Sequence, residues 1–139
     1  MKKRKACVLV LSMITARLLA FTDQLEFKPY QIDENRLLAA IVTVENSHTI
    51  GHKGERFCYQ ILPSTWYRFT SIRMSKATTE QQHEVALRIL RSFKRQIERN
   101  GKQADVYRLA LAWNGGPNAK HYTKATLDYA ERVSNVYYR

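Results

Sequence analysis

The side chain best placed for acid–base chemistry in this sequence is Glu45, which follows an apolar stripe that recurs at helical spacing. Burial against apolar groups raises the pKa of a carboxyl group, because the charged form loses solvation. The negative pole at the C-terminal end of a helix also favours the protonated form. The pattern therefore predicts that Glu45 is a proton donor near neutral pH. The sequence offers Ile41, Val44 and Trp113 as its apolar wall.

Two amides and a second acid could complete a site around Glu45. Gln60 and Asn114 both donate and accept hydrogen bonds, so they fit either substrate binding or the capping of loops. Glu55 is the only acid between Glu45 and Gln60, which makes it the candidate second acid. We expect these side chains to face one groove.

Three aromatic residues are candidates for binding by stacking: Trp113, Tyr59 and Tyr129. Aromatic residues can cover the face of a ligand ring, but at helical spacing they more often pack in a core. Both interpretations remain open from the sequence.

Other kinds of site are poorly supported. His48 and His52 are four residues apart, but Gly51 breaks any helix between them and no further ligand has zinc spacing. Ser64 lacks the glycines of a nucleophile elbow, and there is no glycine-rich phosphate loop. We expect neither a metal nor a cofactor.

The helix that must carry Glu45 begins at Asp33, which can cap it. Apolar residues then recur on one face, at Leu37, Leu38, Ala40, Ile41 and Val44. The polar stretch 46–54 predicts a loop or a weak hairpin. A proline at position 63 favours the start of a second helix.

Three further helices follow in the second half of the chain. The first is predicted over Thr79–Arg99, with Thr79 and Gln82 as a capping box and Asn100-Gly101 at its end. Another carries Trp113 and breaks at 114–117, and the last runs through Leu127, Ala130, Val133 and Tyr137. The fold class is therefore mainly α, with room for a small β-hairpin near the site.

The composition predicts one domain behind an export signal. Residues 1–20 combine a basic start, an apolar run over 6–16 and small residues suited to cleavage, which is typical of a signal peptide. Arg17 interrupts that run, so we expect no transmembrane anchor. Residues 21–139 then form one domain. An amphipathic N-terminal helix is the alternative, and the single cysteine beyond position 20, Cys58, allows no internal disulfide.

The charge indicates an anionic partner. The net charge is +11, and five of the 23 basic residues lie in the first twenty positions, leaving 18 basic and 12 acidic residues. Nucleic acid, an anionic lipid surface and a cell-wall polymer all fit such a balance.

Four stretches resemble, in order, the motifs of soluble lytic transglycosylases and goose-type lysozymes. The family pattern is Glu-Ser-Gly at a helix end, Gly-x-x-Gly-x-x-Gln-x-x-Pro-Ser-Thr, Ala-Tyr-Asn-x-Gly-Pro and a closing Tyr-x-x-x-Val-x-x-x-Tyr. The matching segments are 44–47 (VENS), 54–66 (GERFCYQILPSTW), 112–117 (AWNGGP) and 129–137 (YAERVSNVY). The resemblance covers nearly all of the chain beyond position 32.

The resemblance implies a lysozyme-like fold and cleavage of the β-1,4 bond between MurNAc and GlcNAc in peptidoglycan. It makes Glu45 the catalytic acid and gives substrate-binding roles to the candidate amides and aromatic residues. The product is a 1,6-anhydromuramyl end, formed without a second carboxylate. Glycan strands are then the partner, no nucleic acid is expected, and the protein works in the periplasm or cell envelope, in wall turnover or in an envelope-spanning assembly.

The chain departs from the family pattern at Asn46, Phe57 and Trp113, and its loop between Glu45 and Gln60 is short. These departures leave alternatives open. One is a muramidase in which Glu55 activates water, and another is a wall-binding protein with impaired catalysis. The third is a basic nucleic-acid-binding protein, favoured by the charge and the arginines of 88–99 but lacking a recognisable module.

Overall fold

The computed structural model describes residues 31–45 and 54–139. The predicted signal peptide, the hairpin option within 46–53 and the two histidines at 48 and 52 lie outside these residues. Ile32–Arg139 form one compact unit.

The described part of the chain is mainly helical, as predicted, with one isolated antiparallel bridge, between Arg56 and Ile61. A 3-10 turn lies between the second and third helices, at Met74–Lys76. The α-helices are α1 (Glu34–Glu45), α2 (Pro63–Trp66), α3 (Thr79–Arg99), α4 (Val106–Gly115) and α5 (Lys124–Tyr137).

Apart from α2, which Leu62 precedes without a side-chain cap, the helices begin where side chains cap them. Asp33 Oδ1 accepts a hydrogen bond of 3.0 Å from the backbone N–H of Arg36, which confirms the predicted cap of α1. Asp105 and Thr123 cap α4 and α5 in the same way. These caps fix the starts of the helices that position the site.

The predicted capping box of α3 is wrong by one residue, although the helix has the predicted bounds. Thr78 is the cap, because it has extended backbone angles, and it exchanges hydrogen bonds of 3.0 and 3.3 Å with Gln81. Gln82 instead donates from its side chain to the Ala77 carbonyl at 3.0 Å. Adjacent Thr-Thr and Gln-Gln pairs give two registers with equal spacing, so the sequence pattern could not choose between them.

The core lies where α1, α4 and α5 meet and where α3 packs against α1 and α4. Trp66 at the end of α2 is fully buried, and its Nε1–H donates to the Ile72 carbonyl at 2.6 Å. The predicted stripe of α1 lies largely in this core. In α5 the expected Leu127 is 40% exposed, and Thr126 and Tyr129 are buried instead.

Contacts with α3 and α5 fix the start of α1. The Tyr137 hydroxyl accepts a hydrogen bond of 3.0 Å from the backbone N–H of Asp33. The Arg36 guanidinium lies 5.2 Å from the centre of the Tyr137 ring. Arg91 of α3 pairs with Glu34 at 2.8 Å. Because α1 is held at this end, its other end, with Glu45, has a defined position.

The predicted break after α4 occurs at Gly116, so the helix includes Asn114 and Gly115. A Cβ on Gly115 would lie 2.7 Å from Tyr122 Cδ1, which shows how closely the segment before α5 approaches α4. Gly116 has a φ of 88°, and its carbonyl accepts a hydrogen bond of 3.1 Å from the Tyr122 hydroxyl. This junction sets the position of Asn114.

None of the helices in residues 31–45 and 54–139 is both long and apolar enough to cross a membrane.

Candidate active site

A cleft of about 430 Å³ opens at the C-terminal ends of α1 and α4. Its polar lining comes from Glu45, Glu55, Gln60, Thr65 and Asn114. Its apolar lining comes from α3, from the end of α4 and from the segment before α2: Ile61, Leu62, Ile89, Phe93 and Trp113. Few polar groups on an apolar surface are typical of sites that orient a small ligand.

Glu45 is the last residue of α1 and is half-buried. Burial raises its pKa above the ordinary 4.5, and the charge of Glu55 raises it further. The neighbouring Tyr129 hydroxyl and the charge of Arg132 act in the opposite direction, and burial outweighs them. The pKa of Glu45 is thus shifted in the direction that favours a general acid.

Tyr129 lies beside this acid and is only 4% exposed. It does not line the cleft. Its hydroxyl is buried without a hydrogen bond of full geometry, and it interacts with the Glu45 carboxyl as a donor. Burial, followed by the charge of Glu45, raises the pKa of Tyr129 far above its usual range. Tyr129 is thus a neutral donor directed at Glu45, not a ring open to a ligand.

A tight turn presents Gln60 to the cleft. Arg56 and Ile61 exchange backbone hydrogen bonds of 3.0 and 2.9 Å, and the Phe57 carbonyl accepts from the backbone N–H of Gln60 at 3.1 Å. The Gln60 side chain donates from Nε2 to the same carbonyl at 2.9 Å. The side-chain amide therefore stabilises the turn while it lines the cleft.

Phe57 occupies the position at which the motif has its second glycine, and its φ is 67°. A left-handed backbone costs a non-glycine residue about 1–2 kcal/mol. The ring lies 5.2 Å from the Trp66 ring, centroid to centroid, and packs against the core. Aromatic packing offsets the cost of the backbone conformation, which explains how the turn forms without that glycine.

Tyr59 is nearly buried and lies outside the cleft lining. Its hydroxyl shares a hydrogen bond of 2.8 Å with His83 Nδ1, and His83 Nε2 lies 3.0 Å from Asn35 Oδ1. This chain of contacts connects the turn to α3 and α1. Tyr59 therefore holds the turn in place, and its hydroxyl is engaged on the protein side.

Trp113 lines the cleft at the end of α4 and is half-buried. Its Nε1–H donates to the Tyr59 carbonyl at 3.2 Å, which connects α4 to the turn. Its ring meets Phe93 edge to face at 6.2 Å. Asn114, the next residue, is exposed on the same cleft.

The structure thus brings together five of the seven candidate residues in one cleft: Glu45, Glu55, Gln60, Trp113 and Asn114. Tyr129 touches the site through Glu45, and Tyr59 supports it from outside. Sequence reasoning missed Arg132, whose charge acts on Glu45, and His83, which anchors the turn. The i, i+3 spacing of Tyr129 and Arg132 is a signal that could have placed Arg132 near the acid.

Within the two described stretches, no group of histidine, cysteine and carboxylate side chains is arranged to hold a metal ion. The site residues are instead a carboxyl pair, two amides and aromatic rings.

Comparison with protein-family models found no match, and comparisons with curated proteins and with solved structures found none either.

Proposed function

We propose that the protein is a lytic transglycosylase with a lysozyme-like fold, which cleaves the MurNAc–GlcNAc β-1,4 bond of peptidoglycan. The observation that carries the proposal is Glu45, a carboxyl group with a raised pKa in a cleft that also contains Gln60 and Asn114. These are the residues at which the sequence resembles the family motifs. A wall substrate would require export, which fits the predicted signal in residues 1–20.

In the proposed reaction, Glu45 transfers its proton to the glycosidic oxygen. The bond from this oxygen to the anomeric carbon of the muramyl sugar breaks, and the electron pair leaves on the oxygen. The N-acetyl carbonyl oxygen of the same sugar bonds to the anomeric carbon. The Glu45 carboxylate then takes the proton of the 6-hydroxyl, whose oxygen displaces the N-acetyl oxygen and forms the 1,6-anhydro ring.

The other cleft residues supply binding and orientation. The amides of Gln60 and Asn114 can hydrogen-bond to the acetamido and hydroxyl groups of the sugars. Trp113 and Phe93 provide an apolar surface for a pyranose face. The Tyr129 hydroxyl can donate to the Glu45 carboxyl, and a hydrogen bond of this kind is strongest after proton transfer, when the carboxylate is charged.

Hydrolysis is the second candidate, and Glu55 is the observation that favours it. Glu55 lines the same cleft and is a carboxylate that could activate water. Inverting glycosidases place such a base roughly 6.5–9.5 Å from the acid. The protein would then be a muramidase on the same site.

The proposal is tested with purified peptidoglycan sacculi and the Glu45→Gln variant. Gln has nearly the shape of Glu but donates no acidic proton, so clearing of the suspension should stop. Circular dichroism should show an unchanged helix content. A control, Glu98→Gln, removes an exposed carboxylate of α3 that does not line the cleft and should leave clearing unchanged. Full clearing by Glu45→Gln would overturn the proposal, and a wild type that binds sacculi without cleaving them would indicate a wall-binding protein.

A further inference from the structure

We propose that Glu55 is a second catalytic carboxylate of the cleft, which stabilises the positive charge that develops at the anomeric carbon. The inference rests on the proposed function. It goes further because the transglycosylase route itself requires only one carboxyl group. Glu55 neither forms nor breaks a bond in this role, so the sugar's own 6-hydroxyl remains the nucleophile.

The position of Glu55 supports this role. It is half-buried, lines the same cleft as Glu45, and directly precedes the turn closed by Arg56 and Ile61. That turn is connected to α4 by the Trp113 indole and to α3 through Tyr59. A carboxylate next to so firmly anchored a segment has a restricted position at the cleft wall, so little entropy would be lost in placing it beside a bound substrate.

The electrostatics of the cleft give Glu55 a second effect on the same reaction. Its charge adds to the effect of burial in raising the pKa of Glu45, which favours the protonated form of the acid. Arg132 opposes Glu55, because its positive charge lowers the pKa of Glu45.

The chemistry of the transition state explains why a fixed negative charge helps. Cleavage of a glycosidic bond passes through an oxocarbenium-like state with positive charge at the anomeric carbon. A carboxylate fixed in the wall of the cleft would stabilise this charge without reorganising during the reaction. The benefit is the same whether the 6-hydroxyl or water attacks.

Paired substitutions with opposite charge effects test the proposal through the pH profile of sacculus clearing. Glu55→Gln should lower kcat by about tenfold, since a single preorganised electrostatic group in a partly open cleft contributes at least this much. The alkaline limb of the profile should move to lower pH. Arg132→Gln should move it to higher pH. Glu55→Asp should restore part of kcat, and Glu98→Gln should change neither quantity.

A second readout does not depend on activity. The titration of the Glu45 carboxyl carbon, followed by carbon-13 NMR in the full-length protein, should shift down in pH in Glu55→Gln and up in Arg132→Gln. Absence of both shifts would overturn the proposal even if the wild type clears sacculi. A Glu55→Gln variant that loses only hydrolysed ends, while anhydro ends form at the wild-type rate, would overturn it in favour of a water-activating base. A wild type without wall activity would overturn the proposed function, and the catalytic role of Glu55 with it.

Discussion

Substitution of Gly115 by alanine probes the junction that positions the cleft. The new Cβ would lie 2.7 and 2.9 Å from two Tyr122 ring carbons and 3.0 Å from Thr126 Cγ2, so the Tyr122 ring must move. Overpacking of this kind costs about 1–3 kcal/mol. Displacement of Tyr122 would also weaken or break its hydrogen bond to the Gly116 carbonyl, which contributes about 1 kcal/mol to stability. The higher helix propensity of alanine offsets at most about 1 kcal/mol of this loss in the free energy of unfolding.

The net expectation for Gly115→Ala is a loss of about 1–3 kcal/mol, which for a domain of this size lowers Tm by roughly 4–12 °C. Differential scanning calorimetry measures it. Because Trp113 and Asn114 immediately precede the displaced backbone, sacculus clearing should fall even well below Tm. The matched control is Gly101→Ala, where φ is 72° and no atom lies within 4 Å of the new Cβ. It should cost about 1 kcal/mol through backbone strain alone and leave clearing unchanged. A Gly115→Ala protein as stable and as active as the wild type would refute this reasoning.

Three further variants test the contacts around Glu45. Tyr129→Phe removes a buried hydroxyl that lacks a fully formed hydrogen bond, so thermal unfolding should show no loss of stability. The alkaline limb of the activity profile should move to higher pH, because the variant loses a contact that lowers the pKa of Glu45. Glu45→Gln should be more stable than the wild type at neutral pH. The pKa of Glu45 is raised in the folded state, so the wild type loses stability as the pH rises from 4.5 through that raised pKa. The variant has no ionisable group at this position and does not lose this stability. Calorimetry at pH 4 and pH 7 would contradict this if the difference in Tm did not grow with pH. Tyr59→Phe breaks the contact with His83 and should cost about 1 kcal/mol in urea unfolding, with a higher KM as the turn loosens.

The helices could be predicted because their signals are local. In α1 the cap at Asp33 and the buried Leu37, Leu38 and Ile41 follow one period, and packing agrees with that period. Leu127 shows where such a signal fails. It fits the apolar pattern of α5, yet the helix rotates so that Thr126 and Tyr129 face the core. The rotation of a helix about its own axis depends on how it packs against neighbouring helices, which its own sequence does not specify.

The sequence predicted which residues would meet in the candidate cleft, but not the contacts that its aromatic residues make. Glu45, Gln60 and Asn114 are marked by motifs, and the structure brings them to one cleft. The aromatic residues needed tertiary information. Tyr129 faces the acid and Tyr59 faces His83, 24 residues away, and no periodicity encodes such pairings.

Phe57 has two opposing effects on the stability of the turn: its left-handed backbone costs free energy, and its ring gains free energy by packing on Trp66. Its type argues against the left-handed backbone that the motif requires, and only the packing on Trp66 reveals how the turn accommodates it. A sequence motif indicates which backbone conformation the turn needs, whereas the contact between the Phe57 and Trp66 rings can be seen only in the folded structure.

The masses of the muropeptides that the wild-type protein releases from purified sacculi test the central claim most directly. If Glu45 acts both as acid and as base on the sugar's own hydroxyl, the released ends are 1,6-anhydromuramyl, lighter by one water than hydrolysed ends. A fully hydrolysed product would contradict the transglycosylase route, and no release at all would contradict glycosidic cleavage by this cleft.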